Sequence, residues 1–393
     1  MTPDNHSLGI ALGGGGPAGV VYEIGALRAL EESIDGLDLT HARSYVGVSA
    51  GSFVAAALAN GLTPRRLLRM LFRHLPGEEP FDPAAFFRPA YREWARRGAT
   101  LPRLMLGALW GIAGRRRGQA IGEHLLPLAR ALPMGIFDNE PIRRYVHRLF
   151  SARGRTDDFR VLARKGRRLT VVATDIEAGQ TAPFGQLGWD DVPISRAIQA
   201  SSAVPGVYLP VEIEGRHYVD GALLKTVHSS VACQDGARFV LVINPLVPVR
   251  SPARGAVLDE GLPATMHQTL RTLLHSRLEV SLGALRDRYP GTDIVLLEPD
   301  RNDHELFFAQ EFSFASREAV AERAYQITRQ QLLARRKELV PILARHGMRL
   351  RLDVLRDAKR DLWLGAGLRP SKRTAPVAQS LTQALDRLER LAG

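Results

Sequence analysis

Two hydrophobic rhythms alternate along the chain. "LGIAL" (residues 8–12) is a short unbroken apolar run, while "PAGVVYEIGALRALEE" after it carries Val21, Ile24, Leu27 and Leu30 at helical spacing. "SYVGV" is a second apolar run, and "GSFVAAALANG" reads as a small-residue helix closed by Gly61. Strand, turn, helix, repeated, predicts a parallel sheet with crossover helices. The same alternation returns at 168–245. There "RLTVVATDI", "RHYVDGA" and "RFVLVINPL" read as strands and "ISRAIQASSAV" as a helix. "TDIVLLEPD" at 292–300 is a last candidate strand. Beyond it the chain is helical and laced with charge, clearest in "REAVAERAYQITRQQLLARRKELVPILARHG", before a loose connector, "GAGLRPSKRTAPVAQS". No internal repeat is visible.

Residues 63–118 break the rhythm. "TPRRLLRMLFRHL" is amphipathic, and "LPRLMLGALWGIAGRRRG" is strongly apolar before a triple arginine. Twelve arginines against four acids give this segment a net charge near +8. Apolar anchors, Trp110 and flanking arginines suit an interfacial membrane element. They also suit a helical cap packed on its own domain, which is the expectation taken here. The organisation expected is an α/β unit at 8–245 with a helical insertion at about 63–145. A mostly helical extension would follow at 246–393, including the strand candidate at 292–300.

Composition narrows the class. The chain has 393 residues, 45% hydrophobic and 24% charged, as in a globular protein. Its one cysteine, Cys233, excludes an intramolecular disulfide and points to a reducing compartment, and a small buried side chain is its expected role. The N-terminus shows no secretory pattern. The longest uncharged run, Ser44 to Pro64, has the length of a membrane span. Glycine, serine and asparagine punctuate it, so a strand and buried helix explain it better. The formal net charge is +12, and only five of the 53 basic residues are lysine. Such a surface attracts anionic lipid or nucleic acid. No zinc-finger, RNA-binding or stacking pattern accompanies it, so nucleic acid is not the expected partner. The missing signals and the charge suggest a cytoplasmic protein in peripheral contact with membrane. Subunit number is not legible.

Candidate chemistry gathers at two turns. In "YVGVSAGSF", Ser49 lies between Gly47 and Gly51, after an apolar strand and before a helix, the setting of a G-x-S-x-G nucleophile elbow. Ala50 keeps the next position small, and its N–H could receive developing negative charge. In "LGGGGPAG", Gly14, Gly15 and Gly16 are further candidate donors for an oxyanion, because glycine lets the backbone approach closely. Pro17 suits the first helical position. Gly14, Gly16 and Gly19 also satisfy G-x-G-x-x-G, but the second strand ends in a serine elbow where a dinucleotide fold places an acid.

A serine nucleophile needs a base. His267, His275, His304 and His346 lie downstream, yet none sits in a glycine-framed loop after a strand. Asp220 offers an alternative at the tip of "RHYVD", followed at once by Gly221. His217, three residues earlier, falls on the opposite strand face. A carboxylate is mismatched to serine by its ordinary pKa, so burial and hydrogen bonding would have to compensate.

"GGGGPAG", "GVSAG" and "DGA", in that order, resemble the three motifs of the patatin-like phospholipase family. "ATDIEAGQTAPFG" and "AIQASSAVPGVYLPVEIEGRHYVDGA" are similar to the flanking segments of that family. The resemblance covers 8–245 and more weakly 292–300. It implies a three-layer α/β/α fold and acyl-ester hydrolysis through an acyl-enzyme by a Ser–Asp dyad without histidine. Ser49 would be the nucleophile and Asp220, with Gly221 and Ala222 completing its motif, the base. The Gly14 to Gly19 loop would form the oxyanion hole. No metal or other cofactor is implied, and the substrate would be a lipid at a membrane surface, anionic by the charge argument. Ala18 departs from the family, which commonly has Arg or Lys there. A carboxylesterase acting on soluble short-chain esters and a non-catalytic lipid-binding scaffold are the alternatives.

Overall fold

The computed structural model describes residues 7–72, 86–113, 126–250, 254–303 and 317–368. His304, the triple arginine at 115–117 and the connector beyond Leu368 lie outside the described residues.

Among the described residues eight strands form the central sheet: β1 (Leu8–Leu12), β2 (Ser44–Val48), β3 (Arg168–Asp175), β4 (Gln180–Phe184), β5 (Val211–Ile213), β6 (Arg216–Asp220), β7 (Phe239–Ile243) and β8 (Asp293–Leu297). Their order is β8-β7-β1-β2-β3-β6-β5, with β4 also paired to β3. The run from β8 to β3 is parallel, and β4, β5 and β6 add antiparallel pairings. β1, β2 and β7 are buried at every position, as strands covered on both faces must be. Alternation divides their side chains between two cores. Leu8, Ile10, Leu12 and Tyr45 join one, and Ala11, Val46, Val48, Val240 and Val242 join the other. Cys233 is buried in the second core, and burial pushes its thiol pKa up.

Helices cover both faces, giving the expected three-layer α/β/α arrangement. Helices α1 (Gly16–Ser33) and α2 (Ala50–Ala59) belong to the first core. A later helix, Arg317–Ala334, packs along α1, where a Cβ on Gly25 would come 2.4 Å from the Ala321 carbonyl oxygen. Ser229–Gln234 and the long helix Gly261–Arg288 cover the other face. The Ser44–Pro64 run is thus a strand and a buried helix. Among the described residues no helix is long and apolar enough to cross a membrane.

Register brings three chain segments to one point. Leu12 lies level with Gly47 and Ile243, so the glycines after β1 emerge beside the serine after β2. Val48 is level with Val172, and the next residue of β3, Ala173, pairs with Asp220 arriving from the opposite direction on β6. Asp220 therefore ends its strand one step beyond Val48, alongside Ser49.

Within the insertion, the described stretches differ in how they pack. Pro64–Phe72 buries an apolar face, but along Leu101–Trp110 the only buried side chain is Ala108. Trp110 is 77% exposed and Leu109 is 60% exposed.

Candidate active site

The elbow is built as its glycines require. Ser49 has φ 52° and ψ −123°, a backbone region that L residues rarely occupy. A Cβ at Gly47 would fall 2.4 Å from Ser52 Cα, and one at Gly51 would fall 2.5 Å from the Gly13 carbonyl oxygen. Four hydrogen bonds hold the strained turn, one of them from the Ser52 hydroxyl to the Ser49 carbonyl at 2.5 Å. The Ser52 N–H donates to the Ser49 carbonyl at 2.9 Å and the Gly51 N–H to the Gly13 carbonyl at 3.0 Å. The Ser49 N–H donates to Ser201 Oγ at 2.8 Å, and that hydroxyl donates to the Val172 carbonyl at 2.6 Å. Ser201 is a positioning residue that sequence reasoning missed, since a serine within a helix carries no local signal of such a role.

The glycine loop leaves β1 with the Gly13 N–H bonded to the Ile243 carbonyl at 2.9 Å. Gly16 has φ 58°, and the Gly19 N–H closes the first turn of α1 onto the Gly15 carbonyl at 2.8 Å. A Cβ on Gly15 would lie 2.9 Å from Gly19 Cα, so both glycines serve this close approach. Gly14, Gly15, Gly16, Ser49, Ala50, Asp220 and Ala222 all line one cavity of about 730 Å³. The rest of its wall is largely apolar, with Phe53, Tyr145, Ile198, Val207 and Leu270 among its residues.

Asp220 is 4% exposed. Burial raises its pKa to about 6, against the opposing influence of hydrogen bonds from the Ser49 hydroxyl and the Ala222 N–H. The Ala222 bond to Oδ1 is 2.8 Å. The Asp220 N–H donates to the Ala203 carbonyl at 3.0 Å, and the Thr174 hydroxyl donates to the Asp220 carbonyl at 3.1 Å. Gly221 must be glycine, because a Cβ there would sit 2.1 Å from the Val172 carbonyl oxygen.

The histidines divide clearly. His217 is on the surface beside Glu177, away from Asp220. His346 pairs with Asp293, and His275 is buried beside Glu298 and Arg301. His267 lines the cavity, with its Nε2 accepting from Arg271 Nε at 3.2 Å. His228, which the sequence did not single out, is buried at the N-cap of Ser229–Gln234. Burial and, secondarily, Lys225 push its pKa down to about 4, so the ring is neutral at neutral pH. Among the described residues, no group of three or more His, Cys, Asp or Glu side chains could hold a metal ion.

The model of the patatin-like phospholipases matches residues 10–228, more than half of the chain. The protein belongs to the patatin-like phospholipase family. This patatin-like chain is also 36% identical over 87 residues to uncharacterised NTE family proteins of Mycobacterium bovis and Mycobacterium tuberculosis. That match covers 22% of this chain, and the chain spans only 23% of the length of those curated relatives. Among solved structures, VipD from Legionella pneumophila aligns at TM-score 0.40 and 13% identity, over 84% of this chain and 67% of that one. ExoU of Pseudomonas aeruginosa, in its complex with SpcU, aligns at TM-score 0.30 and 18% identity, over 91% and 69%.

Proposed function

We propose that the protein hydrolyses fatty-acyl esters of lipids, phospholipids foremost, through an acyl-enzyme on Ser49. One observation carries this reading: a strained serine and a buried carboxylate line the same apolar cavity beside a glycine backbone loop. Asp220 accepts the hydroxyl proton as Ser49 Oγ attacks the ester carbonyl. The tetrahedral oxyanion is met by N–H groups of the Gly14–Gly16 loop and Ala50. Collapse expels the alcohol, which takes the proton from Asp220. Water then attacks the acyl-enzyme with Asp220 again as base, releasing the fatty acid and free Ser49. A carboxylate with a pKa raised to about 6 is a better proton acceptor than an ordinary aspartate, yet it is still mostly ionised at neutral pH.

The test is intact-mass analysis after fluorophosphonate treatment of wild type, Ser49→Ala and Asp220→Asn. One adduct on wild type, none on Ser49→Ala and slow labelling of Asp220→Asn are expected. Labelling of Ser49→Ala at the wild-type rate would overturn the assignment. A jump in hydrolysis as the ester substrate aggregates separates a lipid hydrolase from an esterase acting on soluble short-chain esters.

A further inference from the structure

Taking the lipid-ester reading above as its basis, we propose that the arginine-rich surface formed by residues 86–110 and 126–137 docks on an anionic lipid bilayer and holds the cavity mouth against it. The helix Leu101–Ala113 is apolar, and over Leu101–Trp110 it turns most of its large apolar side chains outward. Leu101, Met105 and Leu109 follow one another at i, i+4 and i+8, with Leu106 and Trp110 on the adjoining row, and all five are exposed. Over Leu101–Trp110 only a small residue, Ala108, is buried. Leu132, Met134 and Ile136 continue the exposed apolar area on the returning segment. An aqueous surface gains nothing from such a face, whereas the interfacial zone of a bilayer accepts aliphatic side chains and favours tryptophan.

Charge selects the occupant. The described residues of this segment contain six arginines, Arg88, Arg92, Arg96, Arg97, Arg103 and Arg130, against one glutamate. That glutamate, Glu93, is buried and held by Arg96 at 2.6 Å and by Arg97 at 2.9 Å. The net charge of +5 beside an apolar face complements lipid phosphate with acyl chains beneath it. A neutral apolar partner would gain nothing from the arginines.

The same surface is fastened to the cavity. Gly135–Phe137 forms a parallel ladder with Gly206–Tyr208, and the Tyr208 hydroxyl donates to the Phe86 carbonyl at 3.0 Å. Phe86, Val207 and Tyr208 all line the cavity. Anchoring the helix in a bilayer therefore sets the cavity wall beside the lipid.

Flotation of the full chain with vesicles of phosphatidylcholine, alone or mixed with phosphatidylglycerol, tests the proposal. It is paired with hydrolysis of soluble p-nitrophenyl butyrate. Wild type is expected to bind the mixed vesicles more tightly, and less so as salt rises. The combined Leu106→Ser, Leu109→Ser and Trp110→Ser variant should bind at least about tenfold more weakly. Arg92→Glu with Arg103→Glu should weaken binding about fivefold or more per residue. Both variants keep soluble-ester hydrolysis, which also shows that they fold. Ser49→Ala should lose ester hydrolysis and keep flotation, so failure of the active-site assignment is read separately from failure of docking. Unchanged flotation by the triple variant would overturn the proposal. So would a dimer that the triple variant dissociates without change in vesicle binding, since the surface would then join two copies of the chain.

Discussion

Ser201 Oγ accepts the backbone N–H of Ser49 at 2.8 Å and donates its own proton to Val172 at 2.6 Å. One buried hydroxyl thus ties the strained elbow to β3, the strand against which Asp220 pairs. The Ser49 hydroxyl is positioned through its backbone, so Ser201 acts on the site without lining the cavity.

Ser201→Ala leaves a buried donor and a buried acceptor without partners. We expect a loss of about 1–3 kcal/mol in stability, measured by urea unfolding. The rate of fluorophosphonate labelling at Ser49 should fall while the substrate KM changes little, because the cavity wall is untouched. A normal labelling rate in a destabilised protein would reduce Ser201 to a purely structural role.

Asp220 links activity and stability through one titration. The base proposed for the reaction must be ionised, so kcat/KM should rise with pH through about 6 and level off above it. Its folded pKa is raised from its ordinary value of 3.8. The stability it contributes is therefore complete below pH 3.8 and is lost as pH rises through about 6. The loss amounts to about 3 kcal/mol above that range. Asp220→Asn removes the titration and should be inactive yet more stable than wild type at pH 8, with the difference shrinking towards pH 4. Thermal melts across that range check it. A variant less stable than wild type at pH 8 would mean that hydrogen bonds lost by the carboxylate outweigh its burial.

The dyad is distinguished from a Ser–His mechanism at His267, the histidine found among the cavity-lining residues. Its Nε2 already accepts from Arg271. His267→Ala should retain hydrolysis of a soluble ester within about threefold, whereas loss of a triad histidine lowers kcat by about a thousandfold or more. A loss of that size would transfer the base from Asp220 to His267.

What the sequence made legible was local. The strands at 8–12 and 44–48, the elbow and the "DGA" turn each combine an apolar run with the glycines that their geometry needs, so pattern and structure agree. Ser201 was silent because its partner lies 152 residues away in sequence. Gln180–Phe184 went unassigned because it is short, starts with polar residues and contains Pro183. The ladder between Gly135–Phe137 and Gly206–Tyr208 is three residues long, too brief for any periodicity. The exposed face of Leu101–Trp110 was not legible because hydrophobic spacing shows that a helix has an apolar face, not what that face meets. The long helix Gly261–Arg288, which supplies His267 and Leu270 to the cavity, also exposes Leu262, Met266 and Leu273, and these blur its stripe.

The glycines of the site separate into those that shape the fold and those that serve the reaction. A methyl group at Gly51 would meet the Gly13 carbonyl oxygen at 2.5 Å and the Leu12 carbonyl carbon at 2.6 Å, both fixed backbone. Gly51→Ala should therefore fail to fold or lose several kcal/mol, on the order of the largest single-residue effects. At Gly14 the nearest atoms are Ser49 Cβ at 3.3 Å and Ala222 Cβ at 3.5 Å, contacts that small shifts relieve. Gly14→Ala should fold with near-normal cooperativity, yet its methyl would lie against the nucleophile, where the substrate carbonyl must come. We expect kcat to drop by about a hundredfold, the scale of a spoiled oxyanion hole, with the melting curve nearly unchanged. Full activity in folded Gly14→Ala would show that the carbonyl approaches Ser49 from another side, and would remove Gly14 from the set of oxyanion donors.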